Sequence, residues 1–115
     1  MKVLLTGGRG FVASYLDKEL QLNGYAVTNV SRSADTTIDE ILKSEVSFDF
    51  YIHTAGISID SPFTELKPYL DSNVELTKNL FSSFSKDKQA KRFIFFSSMY
   101  ALDNTLEATS YARSK

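Results

Sequence analysis

The chain contains no cysteine, which excludes disulfides, thiolate nucleophiles and cysteine-ligated metals and makes a reducing, cytoplasmic compartment the expected one. It has a single histidine, His53, and no cluster of His, Asp or Glu at ligand spacing, so no metal site is expected. Neither sign of charge dominates, with 13 Lys and Arg against 14 Asp and Glu. Without a run of basic residues there is no electrostatic footprint for nucleic acid or an anionic membrane. No apolar stretch reaches bilayer length, and the run at residues 3–5 is too short for the core of a signal peptide. What remains is 115 residues, 43% hydrophobic and 23% charged, the composition of one globular domain.

What is present begins at once. Residues 2–6 read as an apolar strand that runs into the glycine-rich turn Gly7-Gly8-Arg9-Gly10, and Phe11-Val12 open a helix. A strand, a glycine turn and a helix N-terminus together offer backbone N–H groups and a positive dipole end to a pyrophosphate. The glycines fit Gly8-x-Gly10-x-x-Ala13 or Gly7-x-x-Gly10-x-x-Ala13, with Ala13 where a third glycine is common and where residue size sets the distance from helix to strand. A lone glycine pattern also fits an ordinary αβ turn, and its place directly behind a strand is what favours a dinucleotide.

Residues 10–22 read as an amphipathic helix with Phe11, Tyr15, Leu16 and Leu20 toward the sheet, ended by Asn23-Gly24. Strands follow at residues 25–31, 48–54 and 91–97, with a short helix at 38–43 and a long helical segment at 62–84, which Pro68 starts or kinks. In that segment Leu66, Leu70, Val74, Thr77, Leu80, Phe81 and Phe84 recur at helical spacing. Residues 102–109 read as loop, with helix from 110. Alternation of strands and helices implies parallel βαβ units, hence an α/β, Rossmann-like doubly wound parallel sheet with its ligand beyond the strand carboxyl ends. The short link between the second and third strands leaves room for a strand to be reduced or missing. The run Phe93-Ile94-Phe95-Phe96 calls for cover on both faces and a partner beyond it. The chain stops within the first turn of a helix, so residues 1–115 read as the N-terminal part of the fold, with no substrate-binding C-terminal part.

Four strand ends carry distinctive residues: Gly7 to Gly10, Ser31-Arg32, His53-Thr54-Ala55-Gly56 and Ser97-Ser98. Tyr111 and Lys115 lie four apart, on one face of a helix, where an ammonium favours a phenolate. Such a pair is common by chance; the Ser-Ser strand end thirteen positions before Tyr111 is what gives it weight.

With Asn73-Val74 and Tyr111-x-x-x-Lys115, these phrases resemble the short-chain dehydrogenase/reductase superfamily, and their order is most similar to its extended branch of NAD(P)-dependent sugar epimerases, dehydratases and reductases. The resemblance covers nearly the whole chain. It implies Tyr111 as acid/base, Lys115 as the group that lowers the Tyr111 pKa and holds the nicotinamide ribose, and Ser98 as hydrogen-bond partner of the substrate oxygen, with Ser97 competing for that role. Asn73 then faces the cofactor, and Ala55-Gly56 let the dinucleotide lie against backbone, with Thr54 beside them. His53 is a structural residue beside the cofactor rather than a general base. Asp39 corresponds to an adenine-contacting aspartate. Strand two ends in Ser31-Arg32 rather than an acidic residue, so NADP is favoured over NAD, although Arg9 also suits a phosphate and Arg32 also suits a solvated turn.

The resemblance makes the chain an NAD(P)-dependent oxidoreductase, epimerase or dehydratase acting on a nucleotide sugar or similar hydroxyl or carbonyl compound. Two other readings stay open: a non-catalytic NAD(P)-binding module, as a redox-sensing regulator or inactive fragment, and a methyltransferase, which wants an acidic residue ending strand two. The expected partner is a small-molecule substrate, with no nucleic acid and no membrane, and a homodimer is left open.

Overall fold

A computed structural model describes residues 1–7, 10–30, 38–55, 67 and 70–97. The strands are β1 (Lys2–Thr6), β2 (Ala26–Val30), β3 (Phe50–His53) and β4 (Arg92–Phe95). The helices are α1 (Phe11–Leu22), α2 (Ile38–Lys43), a π-helical stretch (Leu70–Glu75) and α3 (Leu76–Lys86), which continues it. All strand pairs are parallel and the sheet order is β2-β1-β3-β4, the N-terminal part of a Rossmann-like doubly wound sheet. β1 lies inside, with Thr6 level with Val30 on one side and with His53 on the other.

That order dictates the layers. The chain steps outward from β1 to β2 and then back across β1 to β3, so right-handed crossovers put α1 on one face and α2 with α3 on the other. Side-chain alternation along β1 feeds both. Val3 and Leu5 join Ala13 and Ile52 in one core, with Leu16, Leu20 and Phe50 packed around them. Leu4 joins Val30, Phe48, Tyr51 and Leu80 in the other, under Ile41, Phe84 and Phe93.

Strand β1 and helix α2 have the bounds expected from sequence. The sheet-facing side of α1 needs correction. Phe11 is 88% exposed and Tyr15 67% exposed, while Ala13 is fully buried beside Leu16 and Leu20. Ala13 is the α1 residue buried against Val3 and Leu5, and that rotation turns the two aromatic residues outward. Strand β3 is shorter than the apolar run because the Phe48 N–H bonds the Asp87 carboxylate at 2.9 Å rather than joining the ladder. Of the expected helix at 62–84 the described residues are Lys67, which is helical, and Leu70 onward, which is π-helical before Leu76; Pro68 and Leu66 lie outside the described residues, as do 98–115. Within it Leu80 is buried but Phe81 is 52% exposed. Among the described residues the link from β2 to β3 holds α2 and no strand, and β4 pairs only with β3, with Ile94, Phe95 and Phe96 over a third exposed.

Two carboxylates tie down the amino end of the sheet. Asp87 accepts hydrogen bonds from Phe48 N–H and, at 2.8 Å, from Tyr51 Oη, while its other oxygen takes Gln89 N–H at 3.0 Å. Asp49 accepts Lys2 N–H at 2.7 Å and faces Lys91 Nζ at 3.4 Å. Both groups are held below the usual carboxylate range. For Asp87 burial pushes upward but the donors from Phe48, Tyr51, Gln89 and Ser47 outweigh it; for Asp49 the Lys2 N–H dominates. Burial, with Asp87 alongside, raises the Tyr51 phenol well above its ordinary value.

Candidate functional site

The carboxyl ends of β1, β3 and β4 meet the N-terminus of α1 at the opposite end of the sheet. Gly7 leaves β1 with φ +93°, a conformation that favours glycine, and its N–H bonds Val30 O at 3.0 Å across the top of β2. A Cβ at Gly7 would lie 2.5 Å from Thr54 Oγ1 and 2.9 Å from Ala55 N, so the turn and the β3 end are packed backbone to backbone. Thr54 is fixed in turn, its hydroxyl donating to Thr6 O at 2.6 Å.

Gly10 is extended and donates to Gly7 O at 2.7 Å, closing the turn just before α1 begins. The helix has no side-chain cap and no acidic residue in its first turn, so no described side chain caps its N-terminal N–H groups and no first-turn carboxylate opposes an anion at the positive end of the dipole. In front of this terminus lies an open recess of about 280 Å³ lined by Gly10, Phe11, Val12, Ala13, Thr54, Phe96 and Ser97. Of these, Gly10, Phe11, Val12, Thr54 and Ser97 are the residues for which the family resemblance implies cofactor contact. A second recess, about 220 Å³ at the amino end of the sheet between α2 and α3, is lined by none of the candidates.

His53 closes β3 beneath this crevice and is 1% exposed. Its Nδ1 lies 2.7 Å from Thr6 Oγ1 and its Nε2 2.8 Å from Thr77 Oγ1. Thr6 Oγ1 also receives the Ala55 N–H at 3.4 Å, and Thr77 Oγ1 lies 2.7 Å from Asn73 O, to which it donates. Both ring nitrogens are engaged within the fold. Asn73, 3% exposed, lies in the π-helical stretch.

Gly7, Gly10, Phe11, Val12, Thr54, Ala55 and Ser97 are therefore brought to one crevice, with His53 and Asn73 behind it. Asp39 is exposed in the first turn of α2 and does not line the recess. Gly8, Arg9, Ser31, Arg32, Gly56, Ser98, Tyr111 and Lys115 lie outside the described residues. Thr6 and Thr77 were not candidates. The available signal was a hydroxyl at Thr77 inside an apolar helical stripe, where an aliphatic residue is the simpler choice. Among the described residues no group of three His, Asp or Glu can hold a metal, and no helix is long and apolar enough to cross a membrane.

Comparison with known proteins gives a consistent relationship. The model of the NAD dependent epimerase/dehydratase family matches residues 3–115. The structure of the human epimerase family protein SDR39U1 (isoform 2) with NADPH is 30% identical, with a TM-score of 0.78 over 94% of this chain. UDP-glucose 4-epimerase from Bifidobacterium longum, in complex with NAD+ and UDP, is 26% identical, with a TM-score of 0.76 over 100% of it. The Bordetella bronchiseptica enzyme WbmF, in complex with NADH, shares the fold at a TM-score of 0.81 over 99%, with 22% identity. The chain spans 40%, 46% and 41% of these three, less than half of each. No curated protein matches the sequence at a significant level.

Proposed function

This chain belongs to the NAD-dependent epimerase/dehydratase family, and from that premise we propose that it binds a nicotinamide dinucleotide, NADP in preference to NAD, across the carboxyl ends of its strands. The observation that carries this reading is the Gly7–Thr54 contact beside an uncapped, acid-free α1 terminus. A side chain at Gly7 would fill the cradle, and the bare N–H groups suit a pyrophosphate. Two of the compared structures hold NADPH and NADH, and a third holds NAD+ with UDP, which supports the cofactor class.

The substrate on this reading is a nucleotide sugar or a similar hydroxyl or carbonyl compound. When bound, the nicotinamide supplies hydride acceptance and donation at its C4. Tyr111 moves the proton on the substrate oxygen, Lys115 stabilises its phenolate and holds the ribose, and Ser98 hydrogen-bonds the same oxygen. Asn73 organises the nicotinamide end. Ser31 and Arg32 receive the 2′-phosphate, with Arg9 as a second cation near the phosphates.

Fluorescence titration with NADPH, NADH and S-adenosylmethionine tests the binding half: the two nicotinamides bind and the third does not. Preferential binding of S-adenosylmethionine overturns it. Tyr111→Phe in the active protein tests the chemistry, and lowers turnover about 100-fold or more with cofactor affinity intact. Cofactor binding without turnover in the unaltered protein instead identifies a binding module.

A further inference from the structure

Resting on the dinucleotide reading, we propose that His53 and Thr77 are positioning residues that lock the π-helical turn carrying Asn73 to the floor of the crevice, and so set the nicotinamide half of the site. The four contacts around His53 share one direction. The Thr77 hydroxyl has a single hydrogen, and donating it to Asn73 O obliges Thr77 Oγ1 to accept from His53 Nε2–H. Nδ1 is then the acceptor, and Thr6 Oγ1 donates to it while taking the Ala55 N–H. Only the Nε2–H tautomer gives every one of these contacts both a donor and an acceptor. The reverse tautomer leaves the Thr77–Asn73 contact without a hydrogen.

The chain of bonds thus runs from Ala55, at the β3 end, through a buried ring to Asn73 on another layer, joining residues 47 and 24 positions apart. It spans the join that needs support. A π-helical turn is a rare, weakly bonded form, and its relaxation to α-helix would turn Asn73 relative to α3 by roughly 100°. Thr77 lies in α3 just after that turn, with its hydroxyl on Asn73 O, so the bond from His53 reaches the turn through Thr77.

The position of this link fixes which half of the ligand feels it. On the dinucleotide reading, a pyrophosphate at the α1 terminus would have β2 to one side and β3 with β4 to the other, so its two nucleoside halves would lie over different strands. His53 closes β3, and α3 packs Leu80 and Phe84 against the Tyr51 and Phe93 of those two strands. Ser31-Arg32, read as the adenosine-side contact, follow β2 instead. The nicotinamide half therefore answers to His53 and Thr77, and the ADP-ribose half does not.

The experiment compares NADH and ADP-ribose on the full chain carrying Thr77→Val, Thr77→Ser or no change, with thermal melting alongside. The expected result is an NADH affinity lowered about fivefold by Thr77→Val, ADP-ribose affinity unchanged, and NADH affinity restored by Thr77→Ser, which returns the hydroxyl and both of its hydrogen bonds. Equal loss for both ligands, no loss, or no rescue overturns the proposal. An unaltered chain that binds neither ligand overturns the dinucleotide reading itself. The 15N spectrum of His53 in the unaltered chain is an independent arm: a protonated Nε2 is required, and a neutral ring with its proton on Nδ1 rejects the chain of bonds even where Thr77→Val fails to fold.

Discussion

Gly7 and Thr54 are so close that no side chain fits between them: a Cβ on Gly7 would meet Thr54 Oγ1 at 2.5 Å while the backbone holds φ +93°. Gly7→Ala therefore combines backbone strain with a clash that neither β1 nor β3 can relieve without shifting. A loss of about 2–4 kcal/mol is expected from the two effects together, read by chemical denaturation, with nicotinamide binding lost in whatever fraction stays folded. Unchanged stability and binding would show that the turn is looser than this packing implies.

Ala13 and Phe11 give a paired test of how α1 lies on the sheet. Ala13→Leu forces a larger side chain into the contact with Val3 and Leu5 and costs about 1–3 kcal/mol. Phe11→Ala, at an exposed position, changes stability by less than about 0.5 kcal/mol and shows its effect in cofactor binding, since Phe11 lines the recess. The opposite pattern in thermal melts would restore the sheet-facing role that amphipathic spacing gives Phe11.

That reversal shows what a sequence can and cannot convey here. Strand β1 was legible because apolar residues end abruptly at a glycine, and Ala13 because helix packing limits size. The orientation of Phe11 and Tyr15 was not, since apolar spacing alone does not reveal that Ala13 is the residue buried against β1. The link from Thr6 through His53 to Thr77 was equally hidden. It joins three elements whose register exists only once the sheet has formed, and neither threonine carries a local signal of its partner. The π-helical form of residues 70–75 is likewise a tertiary outcome that spacing alone reads as ordinary helix.

Asp87 anchors the amino end of the sheet. Asp87→Ala leaves Tyr51 Oη and Phe48 N–H without their acceptor beneath a buried core, and a loss of about 1–3 kcal/mol is expected in urea denaturation. The carboxyl is depressed below its ordinary 3.8 in the folded chain, so its contribution is complete above that pH and is lost as pH falls through the lower folded value. Melting temperature should fall below about pH 4, and less steeply in Asp87→Asn. A variant with the same acid profile as the unaltered chain removes Asp87 as a source of acid sensitivity.

Arg32 carries the proposed preference for NADP. Arg32→Asp replaces a 2′-phosphate partner with a like charge, so NADPH should weaken about tenfold or more with NADH affinity little changed. Equal effects on both cofactors, or none, would assign Arg32 to a solvated turn.

The central claim is that the α1 terminus and the glycine turn receive a pyrophosphate. Amide chemical shifts followed during an NADPH titration test it at the atoms concerned. The largest shifts should fall on Gly7, Gly10, Phe11 and Val12, with Ala55 beside them and little change at the amino end around Phe48 and Asp87. Saturable binding that leaves those turn amides unmoved, or that shifts the residues between α2 and α3 instead, contradicts the account.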